Sequence, residues 1–330
     1  MVRFSIRAVV LVAVLFCPVL AAAQGIPSFF ANTPFSLDGV KCSVAAKAGY
    51  QQMAVNFNLP MPFTGLFGPA LYASSTLDFK LQGAGVWIGG IEANAQRGPI
   101  SAFLGVEANA RKNVGVLTSS DPFWSGEYPV EWKGSQFQWW AIDGGAGLDT
   151  PALTIVGGLR VEHLSLKLEG PVDSDGLIQY YQATFGDRYR GDFLNILWLP
   201  YVGIRTQGHC WRGTLRLSPV AWTDLTIPAR YFYVDSPALR FFEQARYTFK
   251  RNGIWLDGSV DYDVHTSSNC RCSFWFRANW LRIRGDGSEG YQLDGYFAGL
   301  TAQLLTDSNS GTGMYTSYNF GGGVRAEYLF

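Results

Sequence analysis

The chain has no excess of charge of either sign: among its 330 residues, 26 lysines and arginines stand against 26 aspartates and glutamates. Without a basic surplus it lacks the electrostatic footprint of a nucleic-acid binder. Beyond its N-terminal segment no run of 18 consecutive apolar residues occurs, which excludes a helical membrane anchor there. No tandem repeat, low-complexity block or linker interrupts it, so it reads as one domain. Histidine is scarce, with only His163, His209 and His265, and this restricts any chemistry that needs an imidazole base.

What is present begins with export. Arg3 and Arg7 precede an unbroken apolar stretch from Ala8 to Leu20, followed by Ala21-Ala22-Ala23. That stretch is shorter than the roughly 20 residues a spanning helix needs, and small residues before Gln24 suit signal peptidase, so 1–23 is expected to be a cleaved signal peptide. Cys17 follows Leu15-Phe16 rather than a small residue and reads as part of the signal core, not a lipid attachment site. Removal of Arg3 and Arg7 leaves 24 basic side chains against 26 acidic ones in the mature domain, 24–330.

An exported chain without a spanning helix is either periplasmic or a membrane β-barrel, and composition points to the barrel. Aromatics make up 15% of the sequence, glycine occurs 38 times, and apolar residues reach 48% without ever running long, as period-two alternation produces when one face meets lipid. The C-terminal segment shows this best: Tyr318, Phe320, Gly322, Val324, Ala326, Tyr328 and Phe330 alternate with Asn319, Gly321, Gly323, Arg325, Glu327 and Leu329. The same period recurs at Leu77, Phe79, Leu81, Gly83, Gly85 and Trp87, and at Ile100, Ala102, Leu104, Val106 and Ala108 opposed by Ser101, Glu107, Asn109 and Arg111. It returns where Ile155, Leu159 and Val161 oppose Thr154, Arg160 and Glu162. Glu107, Arg111, Arg160 and Glu162 are therefore expected to face the lumen as a polar network.

The expected fold is all-β, a transmembrane antiparallel β-barrel of about ten strands. Short turns at 95–99, 149–151 and 207–210 alternate with longer connections around 59–73, 112–135 and 170–192, placing the short ones in the periplasm and the long ones outside. Between Leu239 and His265 the outward parity changes at Asn252-Gly253, which is either a bulge in one tall strand or a type I′ hairpin turn. The turn reading, with a further strand at Tyr296 to Leu305, makes twelve strands. Four cysteines remain after cleavage, Cys42, Cys210, Cys270 and Cys272, and in an oxidising compartment disulfides are the default, with zinc ligation the lesser alternative. Cys270-x-Cys272 is too tight for an ordinary mutual bridge, so distant partners are expected.

Several short strings resemble the omptin family of outer-membrane aspartate-histidine proteases. Leu77-Asp78-Phe79-Lys80 is similar to that family's second strand, and Leu199-Pro200-Tyr201-Val202-Gly203-Ile204 to its sixth. Asn279-Trp280-Leu281-Arg282 and the ending Tyr318-Asn319-Phe320 to Phe330 sit where the ninth and tenth would. The resemblance implies a tall ten-stranded barrel protruding beyond the outer leaflet, with Asn252-Gly253 a bulge. It also implies proteolysis by water held between an aspartate pair and an Asp-His dyad at the extracellular rim. That set does not carry over. Trp222 to Arg230 holds Asp224 but no histidine, and Thr118 to Gly126 holds only Asp121. The family's lipopolysaccharide-binding Tyr-x-Glu-x-Arg falls on Leu159-x-Val161-x-His163.

Asp261-x-Asp263-x-His265 is the remaining constellation with catalytic or metal-binding chemistry, two carboxylates and an imidazole inward by parity. With ten strands, Thr266 to Asn269 is a periplasmic turn and the group stands at the wrong end for surface proteolysis; with twelve it lies outside. The expectation is thus a monomeric outer-membrane protein in contact with lipid, including lipopolysaccharide, without cofactor, metal or nucleic acid. Its role is expected to be structural or to consist of binding an extracellular ligand through Trp124, Tyr128, Trp132, Tyr180 and Tyr181. The alternatives are an endopeptidase rebuilt around Asp261, Asp263 and His265, or a narrow pore.

Overall fold

Period-two alternation becomes, in the computed structural model of the protein, a continuous antiparallel sheet closed on itself. The structure describes residues 39–60, 76–110, 116–120, 129–172, 190–227, 233–235, 240–249, 252–288, 291–293 and 309–330. In chain order the strands are β1 (Val40–Pro60), β2 (Thr76–Arg97), β3 (Ile100–Asn109), β4 (Val116–Ser120), β5 (Pro129–Asp149), β6 (Thr154–Val172), β7 (Arg190–Gln207) and β8 (Trp211–Ser218). They continue as β9 (Trp222–Ile227), β10 (Tyr233–Asp235), β11 (Arg240–Phe249), β12 (Asn252–Thr266), β13 (Cys270–Ser288), β14 (Tyr291–Leu293) and β15 (Asn309–Leu329). Among the described residues no helix is long and apolar enough to cross a membrane.

The wall runs β1-β2-β3-β5-β6-β7-β8-β12-β13-β15 and closes where β15 pairs with β1, a ring of ten. The shorter pieces extend it: β4 prolongs β3 between β2 and β5, while β9 prolongs β8 beside β7 and pairs with β11, which leads into β12. Asn252-Gly253 is thus no hairpin turn but the start of β12, and the ten-strand count holds. Tyr296 to Leu305, the other candidate for an added strand, lies outside the described residues. A Cβ on Gly253 would meet Ala221 at 2.6 Å, so glycine is what the wall accommodates where β8 gives way to β9.

The hairpin ends at 98–99, 150–153, 208–210 and 267–269 lie together with Val40 and Phe330 at one end of the barrel. Gly98, at φ +58°, opens the two-residue loop between β2 and β3, a conformation in which a Cβ would be strained. The strand ends that bound the longer connections, such as Pro60 beside Thr76 and Glu169 beside Arg190, lie at the other end. β2, with 22 residues, is about 70 Å long at roughly 3.3 Å per residue, far more than the 9–11 residues that carry a strand across hydrocarbon.

The outer surface shows where lipid meets it. Beside the short turns, outward positions are large, apolar and exposed: Phe320, Val324 and Tyr328 on β15, Phe274 and Phe276 on β13, Trp198, Val202 and Ile204 on β7. Farther along, the outward face turns polar with Ser165 and Lys167 on β6, Arg282 and Arg284 on β13 and Thr316 on β15. A band of this composition cannot remain in water, and a closed wall leaves no backbone group unpaired in hydrocarbon.

Inside, the filling changes with height. The half nearer the long connections buries mostly aromatic and aliphatic side chains, Phe137, Trp139, Leu199, Trp255, Leu281 and Tyr315, together with the hydrogen-bonded Asn109, Asn195 and Thr223. Nearer the turns it is charged. Aromatic rings lie flat over glycines of neighbouring strands: Trp275 covers Gly49, where a Cβ would approach the ring within 2.4 Å, and donates its indole N–H to Ala48 O and Val324 O at 3.2 Å.

Candidate functional site

Strand parity places Glu107 of β3 and Arg160 and Glu162 of β6 in the lumen, and the structure joins them. Arg160 is wholly buried. Its Nε donates to Glu162 Oε1 at 2.5 Å, one Nη to Glu107 Oε2 at 3.4 Å, and the other stands 3.6 Å from Asp143 Oδ2. Glu107 also accepts from Lys47 of β1, and from Arg277 of β13 at 3.2 Å. Arg277 in turn donates to Asp257 of β12 at 2.5 Å, and Asp143 takes bonds from Arg216 of β8 and, at 2.6 Å, from the Tyr201 hydroxyl. This layer ties eight wall strands together across the lumen. Arg111, the fourth residue expected in it, lies outside the described residues.

A second layer sits nearer the turns. Arg212 of β8 bonds Glu327 of β15 at 2.8 Å and Asp263 at 3.1 Å, with Asp261 at 3.5 Å. Arg325 reaches Asp261 at 3.1 Å and Glu92 of β2 at 3.2 Å, and Arg271 approaches Asp263 at 3.6 Å. The carboxylates of the Asp261-x-Asp263-x-His265 constellation are therefore committed to arginines. A register shift between Asp263 and His265 breaks the alternation, and the imidazole is exposed beside the 267–269 turn, bonded to neither carboxylate. The structure brings the two aspartates together and leaves the histidine apart. Among the described residues no group of three or more histidine, cysteine, aspartate or glutamate side chains is arranged to hold a metal.

Cys42, Cys210, Cys270 and Cys272 all lie at the short-turn end, and each carries a free thiol. The expected disulfides are not formed there, for a geometric reason. Cys42 is separated from Cys270 by β15, and Cys210 from Cys272 by β12. Two strand spacings are about 10 Å, beyond the ~7 Å Cα separation a disulfide spans.

Between the two ion-paired layers and the turns lies a cavity of about 640 Å³, lined by Ser43, Asn94, Arg205, Thr214, Arg325 and Glu327 among others, with Glu107 and Arg277 at its inner end and Asp149 to Thr154 at its mouth. Above the ion pairs the apolar filling blocks the way onward. Residues that the sequence pattern left unassigned thus do much of the work: Lys47, Asp143, Arg216, Asp257 and Arg277. Their common signal is an inward charge at one height on successive strands, visible only once the register is known. Of the other candidates, Asp121, Trp124, Tyr128, Tyr180 and Tyr181 lie outside the described residues; of Trp132 the structure describes only the backbone, paired with Leu117.

A closed ten-strand barrel with a lipid-facing belt, short turns at one end and a filled interior defines the class: this is the fold of a bacterial outer-membrane β-barrel. It is similar to the outer membrane protease OmpT from Escherichia coli, with a TM-score of 0.60 at 12% identity over 91% of this chain and 99% of that one. The translocator domain of the autotransporter NalP from Neisseria meningitidis follows with a TM-score of 0.38 at 10% identity, covering 97% of this chain and 96% of that chain. The β domain of the Bordetella autotransporter BrkA gives 0.27 at 11% identity, over 86% of this chain and 99% of that one. No protein-family model matches the chain, and no curated protein does. The likeness to OmpT extends to the fold, at an identity that carries no activity across.

Proposed function

We propose that the protein is an omptin-like barrel of the outer membrane that does not cut peptides, and that it serves a structural or surface-binding role. The observation that carries this reading is the state of its one Asp/His constellation. Asp261 and Asp263 are neutralised by Arg212, Arg325 and Arg271, and His265 stands apart at the short-turn end. A base for water needs an imidazole within hydrogen-bond reach of both the water and an orienting carboxylate, an arrangement typically responsible for roughly 10²- to 10⁴-fold of rate. A carboxylate already held by two guanidiniums does not orient a base. The filled lumen argues in the same direction against a pore, since Arg160 and Trp139 are buried at heights where a channel would need water. Ligand contact is then left to the extracellular connections, with lipid and lipopolysaccharide meeting the outer wall.

The test is to reconstitute the purified protein with lipopolysaccharide and offer peptides carrying basic residues at the scissile bond. No cleavage above the background of buffer is expected. Cleavage that disappears in His265→Ala, with the barrel intact, would overturn the reading.

A further inference from the structure

Among the described residues, one arginine of the lumen is treated unlike the others. Arg205, on β7 three residues before the 208–210 turn, has among the described residues no carboxylate within ion-pair distance and no hydrogen bond, whereas Arg160, Arg212, Arg216, Arg271, Arg277 and Arg325 each face at least one carboxylate; Lys41, exposed at the cavity mouth, is likewise unpaired. Its guanidinium lies 5.5 Å from the centre of the Phe103 ring, and Arg216 lies 5.8 Å from the same ring. Two like charges are thus gathered at one aromatic plate. Arg216 is answered by Asp143, but Arg205 is not, and Glu92, the acid whose charge acts on it, already binds Arg325 at 3.2 Å and Asn94 at 3.0 Å. Arg205 lines the 640 Å³ cavity, with Thr214 directly opposite it on β8 and lining the same space. Among the described residues that line this cavity, eight are basic and seven acidic, an excess of one positive charge.

A guanidinium fixed against an aromatic ring, with its planar fork of donors unspent and turned toward water, is preorganised for a bidentate oxyanion. An anion seated against Arg205, with Arg216 beside it, would supply the anionic partner that the wall withholds from this arginine. The cavity opens toward the short turns, and the closed wall leaves a lipid headgroup no lateral entry. We propose that this vestibule is a binding site for a small soluble oxyanion of phosphate size, entering from the periplasmic side, with Arg205 as its principal ligand and Arg216 and Thr214 flanking it. This goes beyond the surface role proposed above and does not depend on it.

The experiment is calorimetric titration of the folded full-length barrel, in a phosphate-free detergent at constant ionic strength, with inorganic phosphate. Saturable binding of one phosphate per barrel is expected. Arg205→Gln should weaken it about tenfold or more, the loss of a charge-assisted hydrogen bond. Arg205→Lys should keep part of it, and Arg97→Gln, which removes one positive charge at the same end outside the site, should change it less than twofold. Absence of saturable uptake by the unaltered protein overturns the proposal without recourse to any variant. Equal weakening by Arg205→Gln and Arg97→Gln also overturns it, because diffuse attraction would then be the cause.

Discussion

Glu107 and Arg160 bond each other over the top of Ala141. The three belong to neighbouring strands β3, β6 and β5, and Ala141 stands in register with Glu107 on one side and Glu162 on the other. Its small side chain leaves the space through which the buried guanidinium spans from β6 to β3. The ion-paired layer is therefore built by one residue too short to take part as much as by those that do.

Removing the hub of that layer leaves Glu107, Glu162 and Asp143 sharing fewer cations in a dry setting. Arg160→Met is expected to cost about 3–5 kcal/mol, the usual consequence of stripping one partner from a buried network. Urea unfolding in micelles measures it. A loss under about 1 kcal/mol would mean that water reaches these carboxylates and the layer is not a plug.

The glycine slots give a contrast within one wall. At Gly49 a Cβ would lie 2.4 Å from both Gly322 O and the Trp275 ring, while at Gly89 the nearest atom is 3.9 Å away. Gly49→Ala should destabilise by roughly 1–3 kcal/mol through overpacking, and Gly89→Ala by well under that. Equal effects in the same unfolding assay would show that Trp275 does not rest where the structure has it.

The thiols report on register. Since β15 stands between Cys42 and Cys270, and β12 between Cys210 and Cys272, these four cysteines should titrate as free thiols in the denatured, unreduced protein. Finding none would require strands at the short-turn end to pair differently, because only Cys270 and Cys272, in side-chain contact on β13, can meet without such a change.

Much of this architecture is legible in the residues alone, because a strand with lipid on one side and lumen on the other writes its two faces alternately. Tyr318 to Phe330 shows this plainly, and Glu107, Arg160 and Glu162 can be assigned inward on the same basis. Two features break the rule. His265 looks inward by counting, but the register shift after Asp263 turns it out, and a bulge leaves no mark in the spacing of side chains. The aromatic part of the lumen hides for the opposite reason: on β5 the inward Trp139 is followed by the outward Trp140, stacked on His163, so alternation vanishes where both faces carry a ring. Of the partners of Glu107, Arg160 is legible by alternation, but Lys47 and Arg277 are not. Arg277 lies 170 residues away, and only closure of the ring brings it across.

The sidedness of the barrel fixes the meaning of the site. Cys210 sits in the 208–210 turn, at the end assigned to the periplasm. An impermeant maleimide should leave it untouched on intact cells and label it once the outer membrane is opened. Labelling on intact cells would invert the barrel and carry Asp261, Asp263 and His265 to the outside, where proteolysis would have to be reconsidered.

The central claim, that the chain closes into a ten-strand barrel seated in the outer membrane, is tested most directly by membrane fractionation followed by electrophoresis with and without boiling. A closed wall that satisfies its own backbone hydrogen bonds resists detergent until heated. The expected result is recovery with the outer membrane and a band that migrates faster unboiled than boiled. Recovery in the soluble periplasmic fraction, with one mobility under both conditions, would contradict it.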